Sequence, residues 1–162
     1  MANMTIKGLD EWGEALAKMG ADSTRICKNA VAKGAGIVAD EIRKHLEALP
    51  EDKFRRLKDG EKFVGVPKEQ KKDLLDSLGI TPIDTDHRGN INAKVGFDGY
   101  GSFKTTKYPK GVPNPLLARA IESGSSVRQK TPFVRPAVNK VKKRVIEEMG
   151  KSVENDLKNY SL

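Results

Sequence analysis

The strongest constraint on this chain is an apolar stripe in its first third. Cys27, Val31, Gly34, Val38, Ile42, His45 and Leu49 step by threes and fours, the spacing of one helix face, and Ile26, Ala30 and Ile37 widen it. Asp22 or Ser23 suits the N-cap, and Pro50 stops the run. A helix over 22–49 is roughly 40 Å long at 1.5 Å per residue. The rest of the chain must pack along that rod. Gly34 and Gly36 flank Ala35 near its middle, each at a cost of about 1 kcal/mol of helix stability. They mark either close packing of another element on the backbone or a bend.

Ahead of the rod, Leu9, Trp12, Leu16 and Met19 predict a short amphipathic helix ending at Gly20, with Trp12 as a core or interface anchor. Residues 1–8 read as a lead in which Thr5 and Ile6 pair as a strand or thread as an arm. Behind it, residues 51–72 are charged, with bases exceeding acids by three. Phe54, Phe63 and Val66 give this stretch some anchoring, so it reads as a mobile loop that orders on assembly. Pro67 starts a helix to Leu78, with Leu74, Leu75 and Leu78 inward and Gly79 as its C-terminal cap.

Residues 80–84 and 91–97 predict a β-hairpin across the polar run from Asp84 to Asn90. In its second arm Ile91, Ala93, Val95 and Phe97 alternate with Asn92, Lys94 and Gly96. Residues 98–113 read as a second mobile excursion, and Asn114 with Pro115 opens a helix over 116–122. Val134, Val138, Val141, Val145, Met149, Val153 and Leu157 then give a C-terminal helix with a potential break at Gly150. Lys140, Lys142, Lys143 and Arg144 share about one turn of it, so at least three must face solvent or a partner. The expected architecture is one α+β domain over 1–162. A small antiparallel sheet or hairpin packs against a long helix in the N-terminal half and a C-terminal helix.

Little here points to catalysis, a metal or a cofactor. His45 and His87 are the only histidines and Cys27 the only cysteine, with no zinc-like spacing. His45 lies on the apolar stripe as a packed or rim residue, His87 sits in a turn, and Cys27 on an inward face reads as a small hydrophobe. The run Gly96-Phe97-Asp98-Gly99-Tyr100-Gly101 precedes no helix and lacks the geometry that cradles phosphates. A lone cysteine allows no intrachain disulfide and suits a reducing compartment. No stretch has the apolar length of a signal sequence or a membrane span, so no membrane role is expected. The aromatic fraction is only 6%, which leaves a thin core of Val, Ile, Leu and Ala. The net charge of +8 favours anionic partners. Lys104, Lys107 and Lys110, with Tyr100, Phe103 and Tyr108 interleaved, suit a phosphate backbone or the acidic rim of another protein.

The stretch over 122–137, ESGSSVRQKTPFVRPA, is locally stiff. A helix ends near Glu122, the chain breaks at Gly124, and Pro132 and Pro136 specify the start of the last helix. Phe133 and Val134 are expected to be extended, with Pro136 in the first turn. Arg135, held between Val134 and Pro136, can pair with a carboxylate, either Glu122 of its own chain or one in another subunit.

The same residues resemble the tail-component family of long-tailed bacteriophages, small proteins of the neck where the head meets the tail. Gly124, Pro132, Phe133, Arg135, Pro136 and Ala137 carry the resemblance, with Ser123 standing where the family usually has an aromatic. The resemblance implies an α+β structural protein that joins head and tail or completes the tail, assembled in the host cytoplasm and located in the virion. It implies a ring of copies, sixfold or twelvefold, with adjacent neck, portal-adaptor or tail-tube proteins as partners and DNA passing through. Arg55, Arg56, Lys104, Lys107, Lys110, Lys142 and Lys143 are the candidate docking charges of such a ring. The alternative from another class is a small basic protein that binds DNA without sequence preference.

Overall fold

The computed structural model describes residues 9–160 except residue 54, and for residues 9–12 the backbone alone. The expectations for the lead at 1–8, for Trp12 and for Phe54 lie outside the described residues or side chains. The order is α1 (Leu9–Glu47), α2 (Lys68–Ser77), β1 (Leu78–Ile80), β2 (Asp84–Thr85), β3 (Ile91–Asn92), β4 (Val95–Phe97), α3 (Asn114–Ser123) and α4 (Val134–Leu157). This is the expected α+β arrangement.

The rod is longer than predicted. α1 runs unbroken for 39 residues, about 58 Å. Gly20 does not end a first helix, because Ala17, Lys18, Met19 and Ala21 around it are strong helix formers that carry one glycine. Ser23 is not a cap; its hydroxyl donates back to the Gly20 carbonyl at 2.8 Å. The buried face is also set slightly round from the predicted stripe. Ile26, Ala30, Ile42, Leu46 and Leu49 are buried, whereas Cys27, expected inward, is exposed.

α4 lies antiparallel along α1, with Lys140 beside Glu41, Lys33 beside Glu148 and Asn29 bonded to Asp156. At Gly34 a Cβ would stand 2.8 Å from Met149 Sδ and 3.2 Å from Val145 Cγ1. The glycine therefore serves close helix packing, and nothing interrupts the helix there. α4 is likewise continuous through Gly150. Its inward residues are Ala137 and Val141, with Val145 and Met149 half-buried. Val138 and Leu157, both predicted on the stripe, are each 37% exposed.

The hairpin forms in two short pieces. β1 pairs β4 with Leu78 opposite Phe97, and β2 pairs β3 with Thr85 opposite Ile91, all antiparallel. Pro82, which has no N–H to donate, falls in the gap between the pieces. Asp86 closes the turn by accepting from the Arg88 and Asn90 backbone N–H groups, both at 2.9 Å. α2 runs straight into β1, so Leu78 and not Gly79 is its C-cap.

The core gathers Leu46, Leu74, Ile121 and Phe133, all fully buried, where α1, α2, α3 and the start of α4 meet. Phe97 of β4 packs edge-on to Phe133, with ring centres 5.8 Å apart.

Candidate assembly surfaces

The start of α4 is built around Glu122. α3 ends at Ser123, and Gly124 turns the chain at φ +79°, a conformation side chains rarely adopt. The chain returns through Pro132, so that the Glu122 carboxylate, near the end of α3, faces the first amides of α4. Glu122 Oε2 accepts from Phe133 N at 2.7 Å and Val134 N at 2.8 Å, and Oε1 accepts from Arg135 N at 3.0 Å. The next residue, Pro136, has no N–H, and Ala137 N already reaches the Phe133 carbonyl at 3.4 Å. Every leading donor of the helix is thus accounted for. Burial raises the Glu122 pKa, but the three N–H groups and the Arg135 charge outweigh it and hold the carboxyl below the usual range.

The motif residues are therefore chiefly architectural. Phe133 and Ala137 are fully buried, and Pro136 sits in the first turn as expected. Neither Phe133 nor Val134 is extended as expected: Phe133 flanks the helix at φ −134°, ψ −28°, and Val134 is its first residue. Pro132 is exposed, and Arg135 reaches well into solvent, its side chain 72% exposed and its Nε 3.8 Å from Glu122 Oε1. That is a loose pair within the chain, without bidentate geometry.

A second node was not foreseen. Arg128, in the loop before α4, is 6% exposed and donates to the Gly65 carbonyl at 2.7 Å and to Gln70 Oε1 at 2.8 Å. Burial pulls its pKa down and the Asp52 charge opposes this. It pins the loop 51–67 to α2, together with Phe63 N on the Val127 carbonyl at 3.0 Å and Gln129 N on the Phe63 carbonyl at 2.8 Å. Gly65 lies against the Pro50 backbone too closely for any Cβ. Sequence offers no signal for Arg128, one base among many in a polar loop.

The docking charges expected from sequence divide into two groups. Arg55 is engaged internally, bonded to Asp52 at 2.6 Å and Glu61 at 2.7 Å, with its guanidinium carbon 5.4 Å from the Phe63 ring centre. This removes it as a free docking charge, because two carboxylates of its own loop already neutralise it. Arg56, Lys104, Lys107, Lys110, Lys142 and Lys143 are exposed. Lys107 lies over the Tyr108 ring at 5.6 Å. The excursion that carries Lys104, Lys107 and Lys110 is closed at its base, with Gly101 N on Val112 O at 2.8 Å and Asn114 N on Gly99 O at 3.0 Å. There a Cβ on Gly111, at φ +115°, would collide with the Gly101 carbonyl.

On α4, Lys140 turns to Glu41, a buried carboxylate whose Oε1 is 2.6 Å from Lys140 Nζ and 3.3 Å from His45 Nε2. The Lys140 contact is close but poorly aligned as a hydrogen bond, so it acts mainly as an ion pair. Lys140 is the main reason that the Glu41 pKa is lowered. Lys142, Lys143 and Arg144 are exposed and form no ion pair among the described residues. The one-turn crowding read from sequence resolves into one base spent inward and three facing out.

His45 is half-buried beside Glu41, and His87 is exposed in the hairpin turn. Among the described residues no group of three or more His, Cys, Asp or Glu side chains is placed to hold a metal, and no helix is long and apolar enough to cross a membrane. Comparison with protein-family models, with curated proteins and with solved structures finds no match.

Proposed function

We propose that this chain is a structural protein of a phage or prophage neck, located in the virion, where copies form a ring that joins head to tail or completes the tail. Its mechanism is assembly rather than catalysis, and its partners are other copies of itself and the neck, portal-adaptor or tail-tube proteins above and below. The observation that carries the reading is a contrast within the molecule. Loops and helix starts are fastened internally by Arg128, Arg55 and Glu122, while Leu16 of α1 is exposed and the outward bases of α4 form no ion pair among the described residues. Rigid subunits with uncommitted charged and apolar faces suit stacked rings. The resemblance over 122–137 supplies the particular assembly.

Electron microscopy of particles made when this gene is stopped early in its parent phage or prophage tests the reading. DNA-filled heads and finished tails should lie apart and join when the purified protein is added. Heads joined to tails of normal length would remove the neck role and bring sequence-independent DNA binding forward.

A further inference from the structure

We propose that the projecting first part of α1 in one copy docks on the outward flank of α4 in the next copy. The inference rests on the ring reading above and names its joint.

Two helix faces are left without a partner among the described residues. The first belongs to residues 13–21. The antiparallel pairing of α1 with the C-terminal part of the chain ends where Tyr160 bonds Asp22. Everything earlier in α1 extends past the end of α4, and the helix is continuous, so the arm does not turn back on the described remainder of the chain. Leu16 is 47% exposed, and nothing lies within 4 Å of where a Cβ would stand at Gly13 or Gly20. The second face is the flank of α4 with Val138, Lys142 and Ile146 four residues apart, Ile146 being 65% exposed. Leu16 and the half-buried Met19 on the one, and Val138 and Ile146 on the other, are apolar groups at helical spacing, the form in which helices pack on one another.

Charge selects the occupant. The arm carries Asp10, Glu11 and Glu14 against Lys18, so two arms repel each other. Residues 135–146 carry five bases and no acid. Of these, Lys140 is neutralised by Glu41, Arg135 is loosely paired with Glu122, and helical spacing turns Arg144 away from Val138 and Ile146, which leaves Lys142 on the flank and Lys143 at its edge. An acidic, apolar arm facing a basic, apolar flank is complementary, and the opposite charges speed encounter and fix orientation. Because arm and flank are different surfaces, the contact is head-to-tail, the kind that closes a ring when its rotation divides the circle.

The test uses the full chain under reductant, since Cys27 is exposed. Leu16→Glu and Ile146→Glu are compared with wild type by sedimentation and thermal melting. Each variant alone should melt like wild type and self-associate about tenfold or more weakly. Mixed in equal amounts they should form heterodimers and stop there, because Leu16→Glu keeps its flank and Ile146→Glu keeps its arm. Should Ile146→Glu melt early, Lys142→Glu replaces it. Wild-type assembly by either variant alone overturns the joint, as does a mixture of folded variants that stays monomeric. A wild-type chain that remains monomeric at millimolar concentration, yet still joins heads to tails, overturns the joint and leaves the neck role standing. Failure to join them touches only the neck role.

Discussion

Glu122 caps α4 from eleven residues before the helix's flanking residue, with one carboxylate serving three amides. Charged hydrogen bonds in a mostly buried setting are worth more than neutral ones, and removing the acceptor leaves donors stranded. Glu122→Ala should therefore cost about 2–4 kcal/mol in urea unfolding, more than a usual cap. The pH dependence has a definite sign. Because the folded-state pKa of Glu122 is lowered, the unfolded chain binds more protons in the window between the two values. The stabilisation is complete above the ordinary Glu value of about 4.3 and is lost as the pH falls through the lower folded value. Glu41, Glu61 and Glu148 are also lowered but are common to both chains. The stability gap between wild type and Glu122→Gln should thus be flat from pH 7 to about 5 and shrink below that. A gap that stays constant down to pH 3 would show that the charge is not what matters.

Among elements, the pairing of α1 with α4 depends on Gly34. A leucine there must displace Met149 and Val145, and overpacking of this kind costs about 1–3 kcal/mol. At Gly36 nothing lies within 4 Å of a Cβ, so Gly36→Ala should gain up to about 1 kcal/mol from helix propensity. Urea midpoints of the two variants check the contrast, and equal shifts would remove the close-packing account. The elements show what was legible in the sequence. Helical spacing around Ile42 and Leu49, the Pro67 and Asn114-Pro115 starts and the hairpin around Asp86 are local signals, and each appears in the structure. Gly20, Gly79 and Gly150 misled because a glycine's cost is small beside the packing or helix formers around it. Leu46, fully buried, fell beside the predicted stripe, since only the position of α4 decides which side of α1 faces inward. The docking charges divided as they did for the same reason. Whether a base meets a carboxylate, as Arg55 does and Lys142 does not, depends on neighbours distant in sequence.

At the scale of the whole molecule, the excess of eight positive charges is spread unevenly. Pairs within the chain cancel base against acid, and the bases left over gather over 51–72, over 98–113 and along the first half of α4, where residues 135–146 carry five bases and no acid. If those bases dock protein, retention of random duplex DNA should be weak and vanish near physiological salt, about 0.15 M. Micromolar retention there, with a log–log salt slope steeper than about −3 that flattens when Lys142, Lys143 and Arg144 are reversed together, would favour DNA binding.

The Glu122 clasp also bears on the order in which the chain folds. The first turn of a helix is its costliest part to form, and in α4 that turn is completed by a residue of α3. The last helix then has no favourable starting point until α3 has formed and the Gly124 turn has brought its end round. Nucleation of α4 is thereby handed to its predecessor, and the two helices form or melt as one cooperative unit with the loop between them closed. Transition-state values for that first turn should follow those of α3 rather than those of α4's own C-terminal half.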